Sequence, residues 1–394
     1  MSRAEHPRGD PMGRSKQAPY AKAGVDADRA GSALKDLTAL LRETFAFRKA
    51  IGRVMLPFGY FANVIALGEN LGLALSTDGV GTKILVAQML GRFDTIGIDC
   101  VAMNVNDLLC VGAEPLALVD YVAVQSPNRR MFREIGKGLY EGARRARITI
   151  PGGEIAQLRE MIRGVHRDDG CDLVGTCVGI VPLDRIIIGQ RIKPKDVVLG
   201  LRSSGIHSNG LTLARDVFFR RRKLRPDRHM PELGRTIGDE LLEPTRIYVP
   251  EVVEMLRGEL DLKALIHMTG DGLLNLSRVA APVGFVIDFW PEPHPVFGLI
   301  RAMGRIGPEE MFRIFNMGIG FCLVLPDDSR QIDRVMAIAK RHGVECYRLG
   351  YAIRDAEQRI SLKPHNLVGH GGGFRRGSGS RAQGSGRVLR RPPL

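Results

Sequence analysis

Between Leu71 and Leu90 the chain passes from an apolar run, through a turn carrying two glycines, into a second apolar run of helical period. The turn reads Ser76-Thr77-Asp78-Gly79-Val80-Gly81-Thr82-Lys83. Strand, glycine turn and helix start in that order dictate an α/β unit. They also put bare backbone N–H groups at a helix N-terminus, where a phosphate can sit. Asp78 offers a carboxylate for a metal and Lys83 an ammonium for phosphate charge. The spacing is not that of a Walker A loop or of a GxGxxG fingerprint.

The rest of the chain alternates in the same way. Helical patterns run over 36–45, 82–90, 98–111, 131–146, 211–222, 247–256 and 331–341. Strand-like runs cover 71–76, 116–124, 172–181, 197–201, 284–289 and 321–325. A chain of 394 residues has room for two good cores. The reading is an N-terminal domain over 20–183 and a second α/β domain over 184–362. Extensions at 1–19 and 363–394 are expected to be disordered, the latter because it is rich in Gly, Ser and Arg.

The formal net charge of +14 resembles a nucleic-acid signal, but it is unevenly placed. Residues 1–22 carry a net +3 and residues 366–394 a net +6, leaving +5 for the body between them. That suits a phosphorylated small substrate as well as a polynucleotide. Nucleic acid is therefore an unlikely partner, and a solvated tail is the plainer reading. No apolar run reaches membrane-span length, so no membrane role is expected. The six cysteines form no CxxC pair and several lie in apolar runs, as expected of reduced, buried thiols in a cytoplasmic protein.

Five polar clusters interrupt the apolar pattern. The helix around Ile98–Val111 is apolar nearly all round yet carries Asp99, Asn104, Asn106 and Asp107. A buried carboxylate must be paired or bind a metal, which makes Asp107 a metal or substrate candidate. Gly152-Gly153-Glu154 follows a short strand, where glycines permit close backbone approach and Glu154 is displayed at the strand's end. Ser203-Ser204-Gly205-Ile206-His207-Ser208-Asn209-Gly210 joins a strand to a helix with the small hydroxyls and amides suited to phosphate oxygens. Two more glycine-rich turns, His267–Leu273 and Phe315–Gly320, add polar groups, including Asp271. Each alone is weak, but sites are assembled from several such loops.

Taken in order, these motifs resemble those of the aminoimidazole ribonucleotide synthetase family, also called phosphoribosylformylglycinamidine cyclo-ligases. The match extends from Ala23-Gly24-Val25-Asp26 to about Ile360. It includes Thr77–Lys83, Asp94–Asp99, Asn106-Asp107 with Gly112–Pro115, Gly152–Glu154, Ser204–Gly210, Pro244–Tyr248 and Phe315–Gly320. The resemblance implies a two-domain α/β (α+β) fold whose N-terminal domains pair into a barrel in a homodimer. It implies ATP-dependent cyclisation of formylglycinamidine ribonucleotide through a phosphorylated formyl oxygen, with Mg²⁺.

Site roles follow from the same resemblance. Nucleotide contacts are implied for Thr77, Asp78, Gly79, Gly81, Thr82, Asn104, Asp107, Gly152, Gly153, Ser204 and Asp271. Metal ligation is implied for Asp78, Asp107 and Glu154. Lys83 would stabilise charge on the transferring phosphoryl group, and His207 and Asn209 would contact the substrate. The chain departs from the family's usual pattern at Phe58–Asn63 and after Gly153, where it reads Glu154-Ile155-Ala156-Gln157-Leu158-Arg159. Another phosphorylating enzyme of the same superfamily is the alternative.

Overall fold

A computed structural model describes residues 27–377. The expected disorder of 1–19, and of the last residues from 378, lies outside the described residues. Helix α1 (Ala27–Glu43) leads into strands β1 (Val54–Leu56), β2 (Asn63–Ala66) and β3 (Leu71–Gly79). Then come α2 (Lys83–Leu90), α3 (Ile96–Leu109), β4 (Glu114–Val124), α4 (Arg129–Ala146), β5 (Thr149–Gln157) and β6 (Cys171–Pro182). The six strands form one sheet in the order β1-β2-β3-β6-β4-β5, antiparallel except for the parallel β4–β5 pair.

Burial alternates along β6: Leu173, Cys177 and Val181 are buried while Val174, Thr176 and Ile180 are not. One face of the sheet is thus a core face, and α3 packs on it. Helix α3 is buried almost throughout because α4 lies close against it. Glycine makes that closeness possible, since a Cβ on Gly97 would meet the α4 backbone at Leu139 and Gly138. Helix α4 begins where the Asn128 side chain accepts from the N–H groups of Arg130 and Met131, a standard N-cap.

The chain leaves this sheet at Pro182 and enters a second one at β7 (Val197–Arg202). Helix α5 (Leu211–Arg215) continues into a wider turn over Asp216–Arg221. A small hairpin of β8 (His229–Met230) and β9 (Arg235–Thr236) follows, then α6 (Ile237–Leu241) and α7 (Val249–Arg257). The remaining elements are β10 (Ala264–His267), β11 (Val283–Ile287), α8 (Pro295–Gly304), α9 (Pro308–Ile314), β12 (Ile319–Leu325) and α10 (Ser329–Arg341). Last come β13 (Cys346–Arg354), β14 (Ile360–Leu362), β15 (Leu367–His370) and β16 (Gly373–Arg376). The eight-stranded sheet runs β10-β12-β7-β13-β11-β14-β15-β16. β12, between β10 and β7, is buried at every residue, as its unbroken apolar sequence requires.

Two expectations need correction. The tail read as disordered from residue 363 stays in the sheet through Arg376. β15 and β16 pair antiparallel, with His370 opposite Gly373. Gly371 and Gly372 between them take φ of 58° and 86°, the left-handed turn that a two-residue hairpin needs. Leu367 is buried and anchors the hairpin. Second, β5 is not a short strand ending at the glycines. Pairing with β4 carries it through Gly152, Gly153 and Glu154 to Gln157.

Candidate active site

The site lies where the end of β3 and helix α3 meet loops of the second domain. Lys83, the first residue of α2, is fully buried. Its Nζ lies 2.9 Å from Asp99 Oδ1 and donates to the carbonyl oxygens of Glu243 at 2.5 Å and His207 at 3.4 Å. Asp99 Oδ1 also accepts from the Thr245 amide and hydroxyl, both at 2.7 Å, and from the Ser208 hydroxyl at 3.2 Å. This buried pair ties α2 and α3 to two loops of the second domain. The Lys83 ammonium, expected to face a phosphoryl group, is here turned to three protein acceptors and fully buried.

Asn106 makes a second tie. Its Nδ2 donates to the Arg246 carbonyl at 2.8 Å, and its Oδ1 accepts from the Tyr248 amide at 3.0 Å. Thr82 makes a third, its hydroxyl 3.0 Å from that of Thr212 on α5.

Asp78, Asn104 and Asp107 come together on the helix side of the sheet. Asn104 Nδ2 donates to the Asp78 carbonyl at 3.1 Å. Asp107 Oδ1 lies 2.8 Å from His267 Nδ1, with the ring as donor to the ionised carboxylate. His267 closes β10, is fully buried, and its Nε2 has no partner among the described residues. Burial, and then the negative charge of Asp107, push the Asp78 carboxyl up from 3.8 to about 6, partly offset by the Gly79 amide and His267. A carboxyl whose proton affinity is raised by burial and by a neighbouring carboxylate has the character of a divalent-cation ligand.

The 203–210 loop stands opposite. Asn316 pins it, donating from Nδ2 to the Gly205 and Ile206 carbonyls, while its Oδ1 accepts from Ser203. Ser204 Oγ donates to the Pro244 carbonyl at 2.6 Å. His207 takes a φ of 67°, a left-handed conformation unusual for a side-chain-bearing residue, which the pinned loop holds in place. Its Nε2 accepts from the Ser204 amide at 3.3 Å, so the ring proton sits on Nδ1, which is buried without a partner. Burial, reinforced by His267 and Lys83, holds this imidazole well below its usual range, hence neutral. Gly320 lets the His207 and Tyr248 rings approach, since a Cβ there would collide with both. The Tyr248 hydroxyl donates to the Arg202 carbonyl at 2.9 Å.

Several other expected residues are placed elsewhere. Thr77 lies on the outer sheet face, its hydroxyl bonded to the Gly175 carbonyl and 2.9 Å from the Thr176 hydroxyl. In the turn, the Gly79 amide donates to Asp78 Oδ1 and the Val80 amide to the Leu173 carbonyl, so neither is left for phosphate. Gly81, at φ 69°, supplies the left-handed step. Gly152 and Glu154 line a shallow cavity of about 500 Å³ with Val119, Tyr121, Val174 and Thr176. Gly153 lines it with them. This cavity opens on the outer face, across the sheet from Asp107, so Glu154 does not complete a metal site with the two aspartates. Among the described residues no three His, Cys, Asp or Glu side chains gather closely enough to hold a metal. Asp271 is exposed and paired with Arg278 at 2.5 Å, and the Arg278 guanidinium lies over the Phe61 ring.

The two halves of the chain match two family models. One, AIR synthase related protein, N-terminal domain, covers residues 59–181. The other, AIR synthase related protein, C-terminal domain, covers residues 193–363. The chain belongs to the AIR synthase related protein family. Among curated relatives, the phosphoribosylformylglycinamidine cyclo-ligase of Methanothermobacter thermautotrophicus is 47% identical over 81% of this chain and 90% of its own length. That of Pyrococcus horikoshii is 44% identical over 89% of this chain and 99% of its own length. Solved structures of lower identity share the fold. A HypE–HypF complex aligns at a TM-score of 0.54 and 21% identity, covering 82% of this chain and 96% of the other. Thermotoga maritima PurL complexed with ATP aligns at 0.51 and 15%, covering 78% of this chain and 45% of the other.

His267 is the site residue that sequence reasoning undervalued, having read it only as part of a weak glycine-rich turn. Its position after a strand and two residues before Thr269-Gly270 was the available signal. Arg215 gave no signal at all, yet its buried Nε is unpartnered.

Two measurements check this description. Lys83→Met leaves Asp99 buried without its counter-charge and should cost about 3–5 kcal/mol of unfolding free energy in urea titration. A loss below about 1 kcal/mol would show that the pair does not hold the domains. By carbon-detected NMR, the metal-free protein should show Asp78 titrating near 6, and Asp107→Asn should lower that value. Since the folded value exceeds the unfolded one, stability contains a term that declines as pH rises between about 4 and 6, and Asp78→Asn should abolish it.

Proposed function

We propose that this chain closes the imidazole ring of aminoimidazole ribonucleotide from formylglycinamidine ribonucleotide at the expense of ATP. The observation that carries the reading is the series of cyclo-ligase relatives, 42–47% identical over most of both chains. The site's geometry agrees with it. A formamide oxygen is a poor leaving group. Its attack on the γ-phosphorus of ATP releases ADP and forms an iminophosphate. The ribosyl-bearing amidine nitrogen then attacks the former formyl carbon, the C–O bond breaks, and inorganic phosphate departs with the oxygen.

Support for ATP comes from HypE and PurL structures solved in complex with ATP, which share this fold. Asp78 and Asp107 fit a Mg²⁺ ion, because their mutual repulsion is what such an ion relieves. When bound, Mg²⁺ would neutralise phosphate charge there and lower the barrier to attack by an anionic chain. The protein's own part is orientation and exclusion of water. His267 holds one oxygen of Asp107, leaving the other to face a ligand. His207 stays neutral beside the reacting groups, so its Nδ1–H can donate to a developing oxyanion without carrying a competing charge. Lys83 and Asp99 keep the two walls of the cleft in register.

We further infer a homodimer formed through the outer face of the first sheet. Leu71, Leu116, Val119, Tyr121 and Ile180 are each more than a third exposed there. An apolar sheet face of that kind calls for a cover, and pairing of two such sheets would form the barrel.

Incubation with formylglycinamidine ribonucleotide, ATP and Mg²⁺ should yield aminoimidazole ribonucleotide and ADP in equal amounts. A folded protein giving no such product sinks the reading. Asp107→Asn should fold normally and lose at least ~100-fold in turnover. In sedimentation velocity the protein should run as a dimer and Val119→Asp as a monomer; an unchanged dimer would place the interface elsewhere.

A further inference from the structure

The exposed side of α4 is basic from end to end. Arg129, Arg133, Lys137, Tyr140, Arg144 and Arg147 follow one another at every third or fourth residue, and all six are exposed. That spacing aligns them in one stripe along the helix. The opposite side holds the buried Met131, Ile135, Leu139 and Ala146. From Arg129 to Arg147 the stripe runs about 27 Å, at about 1.5 Å per residue. It carries five cations and no acid.

Residues 129–147 hold seven Lys and Arg against two acids, a net +5. That equals the net charge of the whole body over 23–365, so everything else in it balances to zero. Averaged along the chain this charge favours no partner, but the fold collects it on one helix. The two acids are taken. Glu134 accepts from Arg130 and the Phe93 amide, and Glu141 from Arg144 and Arg145. Acids beside the helix are engaged as well, Asp94 with Arg92, Glu251 with Arg246 and Glu254 with His342. Arg129, Arg133, Lys137 and Arg147 form no ion pair among the described residues.

The helix dipole welcomes Arg144 and Arg145 in the last turn but disfavours a cation such as Arg129 in the first. A face kept only for solubility intersperses both signs. A stripe of one sign suits a polyanion. Arginine, four of the five cations here, meets phosphate with two parallel N–H groups. Tyr140, 69% exposed near the middle of the stripe, presents a bare ring. Aromatic rings set among basic residues stack the open bases of single strands. A membrane is disfavoured, because the apolar side of α4 is committed to the core and cannot insert.

We propose that the stripe on α4 binds single-stranded nucleic acid through its phosphates, with Tyr140 stacking on a base. The stripe turns away from α3, and so from Asp107, and lies across the sheet from the face assigned above to the dimer.

Fluorescence anisotropy of the full-length protein with labelled oligouridine and oligothymidine of about 20 nucleotides, at several NaCl concentrations, provides the test. Binding to either meets the expectation, and the tighter one identifies the sugar. Arg133→Gln with Lys137→Gln should reduce the salt slope of log Kd by about 1.4, since each phosphate contact on a single strand contributes about 0.7. Arg133→Glu with Lys137→Glu should weaken binding at least ~10-fold. Tyr140→Ala should weaken it about 5- to 100-fold and leave the slope unchanged. All three variants should keep the wild-type turnover and melting temperature. Wild-type protein that binds neither oligonucleotide overturns the inference. So does binding that the α4 variants leave intact, which would assign it to the Arg-bearing segment 378–394. A polyglutamate peptide that binds as tightly as the oligonucleotides also overturns it, in favour of an acidic protein partner.

Discussion

The ion pair between Lys83 and Asp99 is the contact on which the rest of the cleft depends. Both side chains are fully buried. Ions taken out of water need further hydrogen bonds around them, and here these gather on Asp99 Oδ1 while Oδ2 has no partner among the described residues. The arrangement here uses the Thr245 amide and hydroxyl, Ser208, and two backbone carbonyls of the second domain. The pair therefore adds little net stability compared with an apolar contact, but it fixes one relative placement of the two domains. Asp107 from the first domain and His267 from the second can meet only in that placement.

That division of labour explains why the site is polar yet largely buried. Asn106, Asn316 and Tyr248 are buried and direct their polar groups to backbone. They hold loops rather than touch ligands. Buried side-chain atoms without protein partners among the described residues include ones on His207, Asn209, Asn104 and His267, and also Asp99 Oδ2.

Much of this was legible in the residues. The strand–turn–helix at Asp78, the buried carboxylate of Asp107 on an apolar helix and the Ser203–Gly210 loop all follow from local pattern. Lys83 shows where such reading stops. A lysine opening a helix after a glycine turn has the same sequence appearance whether it meets phosphate or a buried carboxylate sixteen residues on. Only the packing of α2 on α3 decides. Gly152–Glu154 was misplaced for a related reason: a glycine pair reads as a turn, and the parallel partner that keeps it extended lies some thirty residues back in β4. The Gly-rich segment at 371–373 looked like the start of a low-complexity tail, but two of its glycines are a hairpin turn, because Leu367 has a core position to fill.

Gly320 carries a consequence for how this sequence can drift. It sits on a strand buried along its whole length, where a larger apolar residue would ordinarily be welcome. Here even a single methyl would strike the Tyr248 hydroxyl on one side and the His207 ring on the other. Both rings are fixed, one through the Arg202 carbonyl and the other through a strained backbone. Neither can step aside without unseating a loop. The position is closed to any residue with a Cβ, and the absence of a side chain there sets how near the strand lies to both rings.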